Sequence, residues 1–520
     1  MGMRIGVDVG GTNTDCVLMN GKTVLEAVKT PTTDDVSDGI LCALRMLQAK
    51  TKFDPVNIDA VMIGTTQFTN AIIERRRLMP TAALRMGLPA TEGLPPMVDW
   101  PSDLQQAIGH HVFLVNGGHE YDGRVISAVD ENQIRTVSQR IGDMGIRAVA
   151  IASVFSPINP DFEEEAAAIM KSEIPDLNVT LSHTIGRIGL LERENAAILN
   201  ACLGDLAQQI MQAFRDAMTE MQMAAPCYVS QNDGTLMSTE FAEAYPVLTF
   251  ASGPTNSIRG AAFLCGRQEA IVVDIGGTTS DVGMLVNGFP REASMVVEIG
   301  GVRTNFRMPD VHPLGIGGGS IVRTDPLKVG PQSVGHELAN KALVFGGETF
   351  TLTDAAVASG LADIGNPELV IGLDHNLSQS ALDVVHARIE AAVDRVKLSA
   401  APLPVIIVGG GSILIDRPIK GASEIDKPEH YAVANAIGAA IAQVGGETDR
   451  IFSLERTSRT EALDDAKAEA SRKAVAAGAD PATVQIVSVD EVPVAYLPGN
   501  ASRVRVKAVG DLNFDPVTRE

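Results

Sequence analysis

Residues 3–29 read MRIGVDVGGTNTDCVLMNGKTVLEAVK, and residues 269–295 read EAIVVDIGGTTSDVGMLVNGFPREASM. Each stretch opens with a short apolar run ending in an acid, Asp8 or Asp274. Each continues into Gly-Gly-Thr, at Gly10-Gly11-Thr12 and Gly276-Gly277-Thr278. A second acid follows seven residues after the first, at Asp15 and Asp281. A second apolar run then leads into Asn20-Gly21 or Asn287-Gly288. Asn-Gly is a strong hairpin signal, because both central residues of that turn need positive φ. Each stretch therefore reads as strand, glycine-rich turn, strand, tight turn, strand. Two copies 266 residues apart predict two similar halves facing one another.

Between and beyond the copies the pattern is α/β. Strands are predicted at 60–64, 147–153, 178–182 and 405–408. Helical periodicity marks 35–50, 132–144, 160–172, a long stretch over 190–222, and 382–398. A small-residue helix is expected over 431–444 and a charged, Ala-rich helix over 458–477. Alternating runs at 484–489 and 503–509 flank Pro498-Gly499-Asn500. The expected division is 1–185, 186–446 and a small α+β segment over 447–520.

Composition narrows the function. The 520 residues are 45% hydrophobic and 20% charged, as in an ordinary globular protein. Aromatics are only 4% and the net charge is −22, which disfavours base stacking and repels phosphate backbones and anionic lipid. Neither a nucleic acid nor a membrane is an expected partner. No apolar run approaches the ~18 residues of a membrane span. Asp8 stands where a secretory leader would need an apolar stretch. The five scattered cysteines form no CxxC pair. Together these predict a cytoplasmic protein with reduced thiols.

A Gly-Gly-Thr turn after a buried strand lets backbone N–H groups converge on an anion. Thr12, Thr14, Thr278 and Thr279 add hydroxyl donors. An Asp at the strand end is repelled by phosphate but can hold Mg²⁺, or water on Mg²⁺, that bridges phosphate oxygens. Two such loops would grip a nucleotide tail from both sides. Gly409-Gly410-Gly411-Ser412, following a strand, is placed to pass under an adenosine.

These features resemble the actin-like ATPase superfamily. A narrower resemblance rests on residues 63–75 (IGTTQFTNAIIER) and on Leu191-Glu192-Arg193-Glu194-Asn195 with Leu199-Asn200-Ala201. It also rests on Ser252-Gly253-Pro254 with Gly260-Ala261-Ala262, on residues 310–321 (DVHPLGIGGGSI), and on Thr353-Asp354-Ala355. These strings, in this order over residues 3–445, are similar to the hydantoinase A/5-oxoprolinase family. One departure is that residues 325–350 lack the Cys-Tyr-Gly segment of many members.

The resemblance implies two actin-like (RNase H-like) ATPase domains with a cleft between them, plus the small C-terminal α+β segment. It implies that helices over 194–201 and 435–441 cross at the hinge. It implies ATP and Mg²⁺, a small cyclic amide or carbonyl substrate, a hydantoinase B-type partner subunit and a homo- or hetero-oligomer. The implied activity is ATP-dependent ring opening of a hydantoin, 5-oxoproline or lactam. Carboxylation of a ketone, a small-molecule kinase and a non-catalytic ATP-gated reactivase are alternatives on the same machinery. In these roles Asp8 and Asp274 hold Mg²⁺, and Asp15 or Asp281 orients the attacking group or caps a turn. Gly10, Gly11, Thr12, Thr14, Gly276, Gly277, Thr278 and Thr279 bind phosphate, and Gly409, Gly410, Gly411 and Ser412 the adenosine. Thr65, Thr66 and Asn70 face the substrate, or serve as a helix cap. Asp310 and His312 share a face of an extended segment. They could hold a second divalent metal with His183 or Asp354, or be a hydrogen-bonded loop pair.

Overall fold

The computed structural model describes residues 2–32, 36–293, 297–305, 308–494 and 499–513. Asp35 and Pro498, which the sequence places at a helix start and in a turn, lie outside the described residues.

Both predicted hairpins form. Met3–Val9 pairs antiparallel with Asn13–Asn20, and Asn13–Asn20 with Thr23–Pro31. In the second copy Ala270–Ile275 pairs with Ser280–Val286, which turns into the short strand Phe289–Pro290. The tight turns differ. Asn287 and Gly288 both have positive φ (52° and 77°), as an Asn-Gly turn requires. In the first copy Asn20 pairs with Thr23, so the turn is centred one residue later on Gly21 and Lys22. There Gly21 takes the positive φ of 57°.

Each hairpin seeds its own sheet. Nine strands form the first, in the order Gln485–Pro493, Ala501–Gly510, Gln443–Ser453, Thr235–Ser238, Cys227–Ser230, Ile58–Thr65, Met3–Val9, Asn13–Asn20, Thr23–Pro31. The expected boundary at 446/447 thus falls inside the strand Gln443–Ser453, and the C-terminal strands extend the sheet that the N-terminus begins. The helix Arg459–Ala476 covers this extension. Ala462, Ala466, Ala470 and Ala474, four residues apart on one face, are fully buried against it.

The second sheet runs Phe289–Pro290, Ser280–Val286, Ala270–Ile275, Leu403–Val408, Ala422–Asp426, with Val311–Leu314 paired to Ser280–Val286. A four-stranded parallel sheet, His111–Asn116, Thr81–Leu88, Ala148–Ser153, Asn178–Leu181, stands apart from both.

The predicted long helical stretch breaks at Cys202–Leu203 into Leu190–Ala201 and Gly204–Glu220. The small-residue helix is shorter than expected, Ala434–Ala440, because the chain enters a strand at Gln443. It crosses Ser252–Cys265, not the helix containing residues 194–201. An added Cβ at Gly438 would lie 1.8 Å from the Asn256 carbonyl oxygen, and one at Gly260 would lie 1.9 Å from that of Ala434. Backbone touches backbone here, which only glycine permits. The Gly260-Ala261-Ala262 string is this crossing. Leu190–Ala201 is instead buried as a polar clamp described below.

Candidate active site

The two glycine loops meet across a cleft of about 620 Å³. Thr12 Oγ1 and Thr278 Oγ1 lie 3.4 Å apart. The loops have the same internal bond, Gly10 N to Asn13 O at 3.0 Å and Gly276 N to Thr279 O at 2.9 Å. Gly10, Gly11, Thr12, Gly276, Gly277, Thr278 and Thr279 all line the cleft, as do Gly409, Gly410 and Gly411. Nothing lies within 4 Å of the Cβ positions of Gly11 and Gly410, so backbone is presented bare to the open space. Gly409 has φ +85° and faces the carboxylate of the second hairpin; a Cβ there would fall 2.2 Å from Asp274 Oδ1. A third segment supports the second loop from behind. Gly318 N donates to Gly276 O and Gly319 N to Gly277 O, at 3.0 and 2.7 Å.

Antiparallel register explains the seven-residue acid spacing. Asp8 and Asp15 are direct cross-strand partners, as are Asp274 and Asp281. Each pair therefore projects from one face of its hairpin. Asp15 and Asp274 line the cleft, whereas Asp8 is buried and does not line it. Asn435 Nδ2 donates to Asp8 Oδ2 and to Asp15 Oδ2, both at 2.9 Å. Lys29 Nζ lies 2.5 Å from Asp15 Oδ1. Burial and the neighbouring Asp15 push the Asp8 carboxyl up to about 7, against the pull of Asn256 and Asn435. Burial, then Asp274, pushes Asp281 up to about 7. Asp274 is raised by burial, and Ser257 and Lys29 favour its ionised form.

Other expected residues sit elsewhere. Thr14 is buried in the sheet with its hydroxyl 3.4 Å from that of Thr32, so it does not reach the cleft. Ser412 is buried and donates to Gly409 O at 2.6 Å; it holds the glycine turn instead of facing the cavity. Thr66 and Asn70 line the cleft, whereas Thr65 is buried and accepts from Gln67 N at 3.3 Å.

The family model described as hydantoinase/oxoprolinase N-terminal region matches residues 4–174, and that described as hydantoinase/oxoprolinase matches residues 193–366. The chain belongs to the hydantoinase/oxoprolinase family. It is 27% identical over 430 residues to the caprolactamase subunit alpha of Pseudomonas jessenii, covering 74% of this chain and 58% of that relative. It is 28% identical over 408 residues to the acetophenone carboxylase gamma subunit of Aromatoleum aromaticum, covering 71% and 54%. The chain thus spans little more than half the length of these relatives. The crystal structure of the ATP-dependent caprolactamase from Pseudomonas jessenii superposes with a TM-score of 0.77 at 20% identity, over 98% of this chain and 88% of that one. The shared fold is the α/β architecture of actin-like ATPase domains.

Within this hydantoinase/oxoprolinase chain, the Leu191–Asn195 string is structural. Glu194 and Arg85 form an ion pair with both side chains buried, Arg85 Nε to Glu194 Oε1 at 2.8 Å. Arg193 donates to Ser182 Oγ at 2.9 Å and to the Arg187 and Ile188 carbonyls. Asn195 accepts from Trp100 Nε1 at 2.8 Å and donates to Arg303 O at 2.9 Å. These bonds fasten the four-stranded unit to the rest of the chain.

The expected second metal site does not assemble. Arg291 Nε and Nη2 donate to the Asp310 carboxylate at 3.0 and 2.7 Å. Burial and Arg395 hold His312 below its usual range. His183 Nδ1 lies 2.8 Å from Glu163 Oε2, and Asp354 is buried as the capping acid that accepts from Thr351 N at 2.7 Å. Each candidate ligand except His312 has a strong partner, and the arginines repel a cation. Among the described residues no group of three or more His, Cys, Asp or Glu is placed to hold a metal. Mg²⁺ on a nucleotide needs fewer, since it is bound by one or two carboxylates plus phosphate oxygens and water.

Lys29, Ser257, Asn435 and Glu74 also belong to the cleft and were not singled out from sequence. Asn435 carries a signal only in retrospect, as the polar residue beside Ala434 at the head of an otherwise small-residue helix.

Proposed function

We propose that the chain is the nucleotide-binding subunit of an ATP-dependent ring-opening amidohydrolase acting on a small cyclic amide of the hydantoin, oxoproline or lactam type. The observation that carries this reading is the pair of matched glycine loops meeting at Thr12 and Thr278 over a bed of carboxylates. The residues fit a Mg²⁺-nucleotide. Bare backbone faces the cleft on both sides, Asp274 lines it, and the Asp8 carboxylate lies buried beside them. Asp274, with Asp8 behind it, would hold the ion or its water, and the ion would offset phosphate charge.

Amides resist hydrolysis because resonance strengthens the C–N bond. In the proposed step the substrate carbonyl oxygen attacks the terminal phosphorus, and the P–O bond to the departing ADP breaks. Water then adds to the activated carbon, the ring C–N bond opens with a proton going to nitrogen, and inorganic phosphate leaves. Positioning and charge neutralisation are the protein's contribution. Thr66 and Asn70 at the cleft wall are placed to orient the substrate.

Carboxylation of a ketone is the second reading, favoured by the similarity to a carboxylase subunit. A B-type partner would complete either reaction. An ADP-release screen decides between them, run with hydantoins, 5-oxoproline and lactams, and separately with ketones plus bicarbonate, with and without a co-purified partner. ADP release dependent on a cyclic amide supports the first reading. Release dependent on ketone and bicarbonate replaces it with the second.

A further inference from the structure

The duplication is imperfect at one position, and that position carries charge. In the first half a single row of strand partners runs Gly64, Asp8, Asp15, Lys29. The matching row in the second half runs Val408, Asp274, Asp281, Pro313. Direct partners on neighbouring strands put their side chains on one face. Both halves thus keep the acid pair, and only the first half adds a lysine beside it.

Lys29 lies on the cleft wall. Its side chain is 33% exposed, whereas that of Asp15, its partner at 2.5 Å, is 4% exposed. The charged residues lining the cleft, among those described, are Asp15, Lys29, Glu74 and Asp274. Lys29 is the one cation among three acids. Backbone N–H groups and threonine hydroxyls bind phosphate without adding net charge. A polyphosphate entering this cleft therefore meets one side-chain cation, and the ammonium that forms the ion pair with Asp15 carries three N–H donors.

Resting on the nucleotide reading above, we propose that Lys29 is the phosphate-recognising residue of the cleft, bridging Asp15 and the terminal phosphoryl group of the bound nucleotide. Asn435 anchors the far oxygen of Asp15, so the bridge is fixed at both ends. As the substrate oxygen bonds to phosphorus and the bond to ADP breaks, Lys29 neutralises charge on the transferred group. The same contact distinguishes ATP from ADP, because ADP lacks the group that Lys29 meets.

The test is titration of the intact chain with AMP-PNP and with ADP, each with Mg²⁺, for the parent, Lys29→Met and Lys29→Arg. Losing a charge-assisted contact to phosphate should weaken AMP-PNP binding by about tenfold to a hundredfold in Lys29→Met. ADP binding should hardly change, and Lys29→Arg should recover most of the AMP-PNP affinity. Unchanged AMP-PNP binding in Lys29→Met overturns the proposal, and so does an equal loss for both nucleotides. If Lys29→Met does not fold, Lys29→Gln is read by the same criteria. A parent that binds neither nucleotide overturns the nucleotide reading itself, an outcome separate from a parent that binds both and a lysine variant that binds as well.

Discussion

Replacing Asp8 by Asn should make the protein more stable and less active, by an amount that depends on pH. The Asp8 carboxyl is buried beside Asp15 and pushed up to about 7 from an ordinary value near 3.8. Between those values the folded state holds a proton that the unfolded chain releases. Stability therefore falls as pH rises through that window, and the cost is complete above pH 7. A shift of about 3 units at 1.36 kcal/mol each is roughly 4 kcal/mol. An amide in place of this carboxyl would keep the shape and still accept from Asn435. The stability advantage of Asp8→Asn over the parent should be near zero at pH 4 and grow to roughly 4 kcal/mol by pH 8. Paired urea-unfolding curves across that range measure it, while Mg-ATP turnover of the variant should be lost. An advantage that does not vary with pH, or a variant less stable than the parent at pH 8, would refute the claim that burying this carboxylate costs folding energy.

Four further outcomes test other parts of the structure. Gly277→Val would place a branched side chain 3.1 Å from Thr12 across the cleft, so nucleotide affinity should drop sharply in a binding titration while the melting curve stays near that of the parent. Gly438→Ala puts a methyl 1.8 Å from the Asn256 carbonyl, and the forced separation of the two helices should cost about 1–3 kcal/mol or more, read from chemical denaturation. Arg85→Met leaves Glu194 buried and unpaired, with an expected loss of about 3–5 kcal/mol; the double variant with Glu194→Leu should recover most of it. Asp310→Asn should leave metal content by elemental analysis and Mg-ATP affinity unchanged, because that carboxylate serves Arg291.

Much of the cleft is legible in one dimension because a hairpin is a local object. The acid spacing, the Gly-Gly-Thr turns and the following strand are fixed by neighbours in sequence, and pairing register turns seven residues into a direct contact. Glycine at 409 follows from the same local logic in part, since its backbone takes a positive φ just after a strand, although its close approach to Asp274 is a tertiary contact. Local reading failed where a residue's partner lies far along the chain. It also failed for two side chains with near partners: Thr14 and Ser412 have the right chemistry for phosphate or adenosine but turn inward to Thr32 and Gly409. Nothing nearby marks Asp310 as the partner of Arg291, or Gly260 as the seat of Ala434.

The sequence alone determined that two copies of one glycine-turn hairpin exist, because strand alternation, glycine turns and acid spacing are encoded within some 25 residues each. It also carried the family, through ordered strings that survive in one dimension. Tertiary structure decided that the C-terminal strands complete the first sheet, that Ser252–Cys265 is the helix crossing Ala434–Ala440, and that Asn435 ties Asp8 to Asp15 across more than 400 residues. Sheet edges, helix crossings and buried charge are settled by which surfaces meet when the chain closes on itself, and that pairing leaves no periodic trace in the order of the residues.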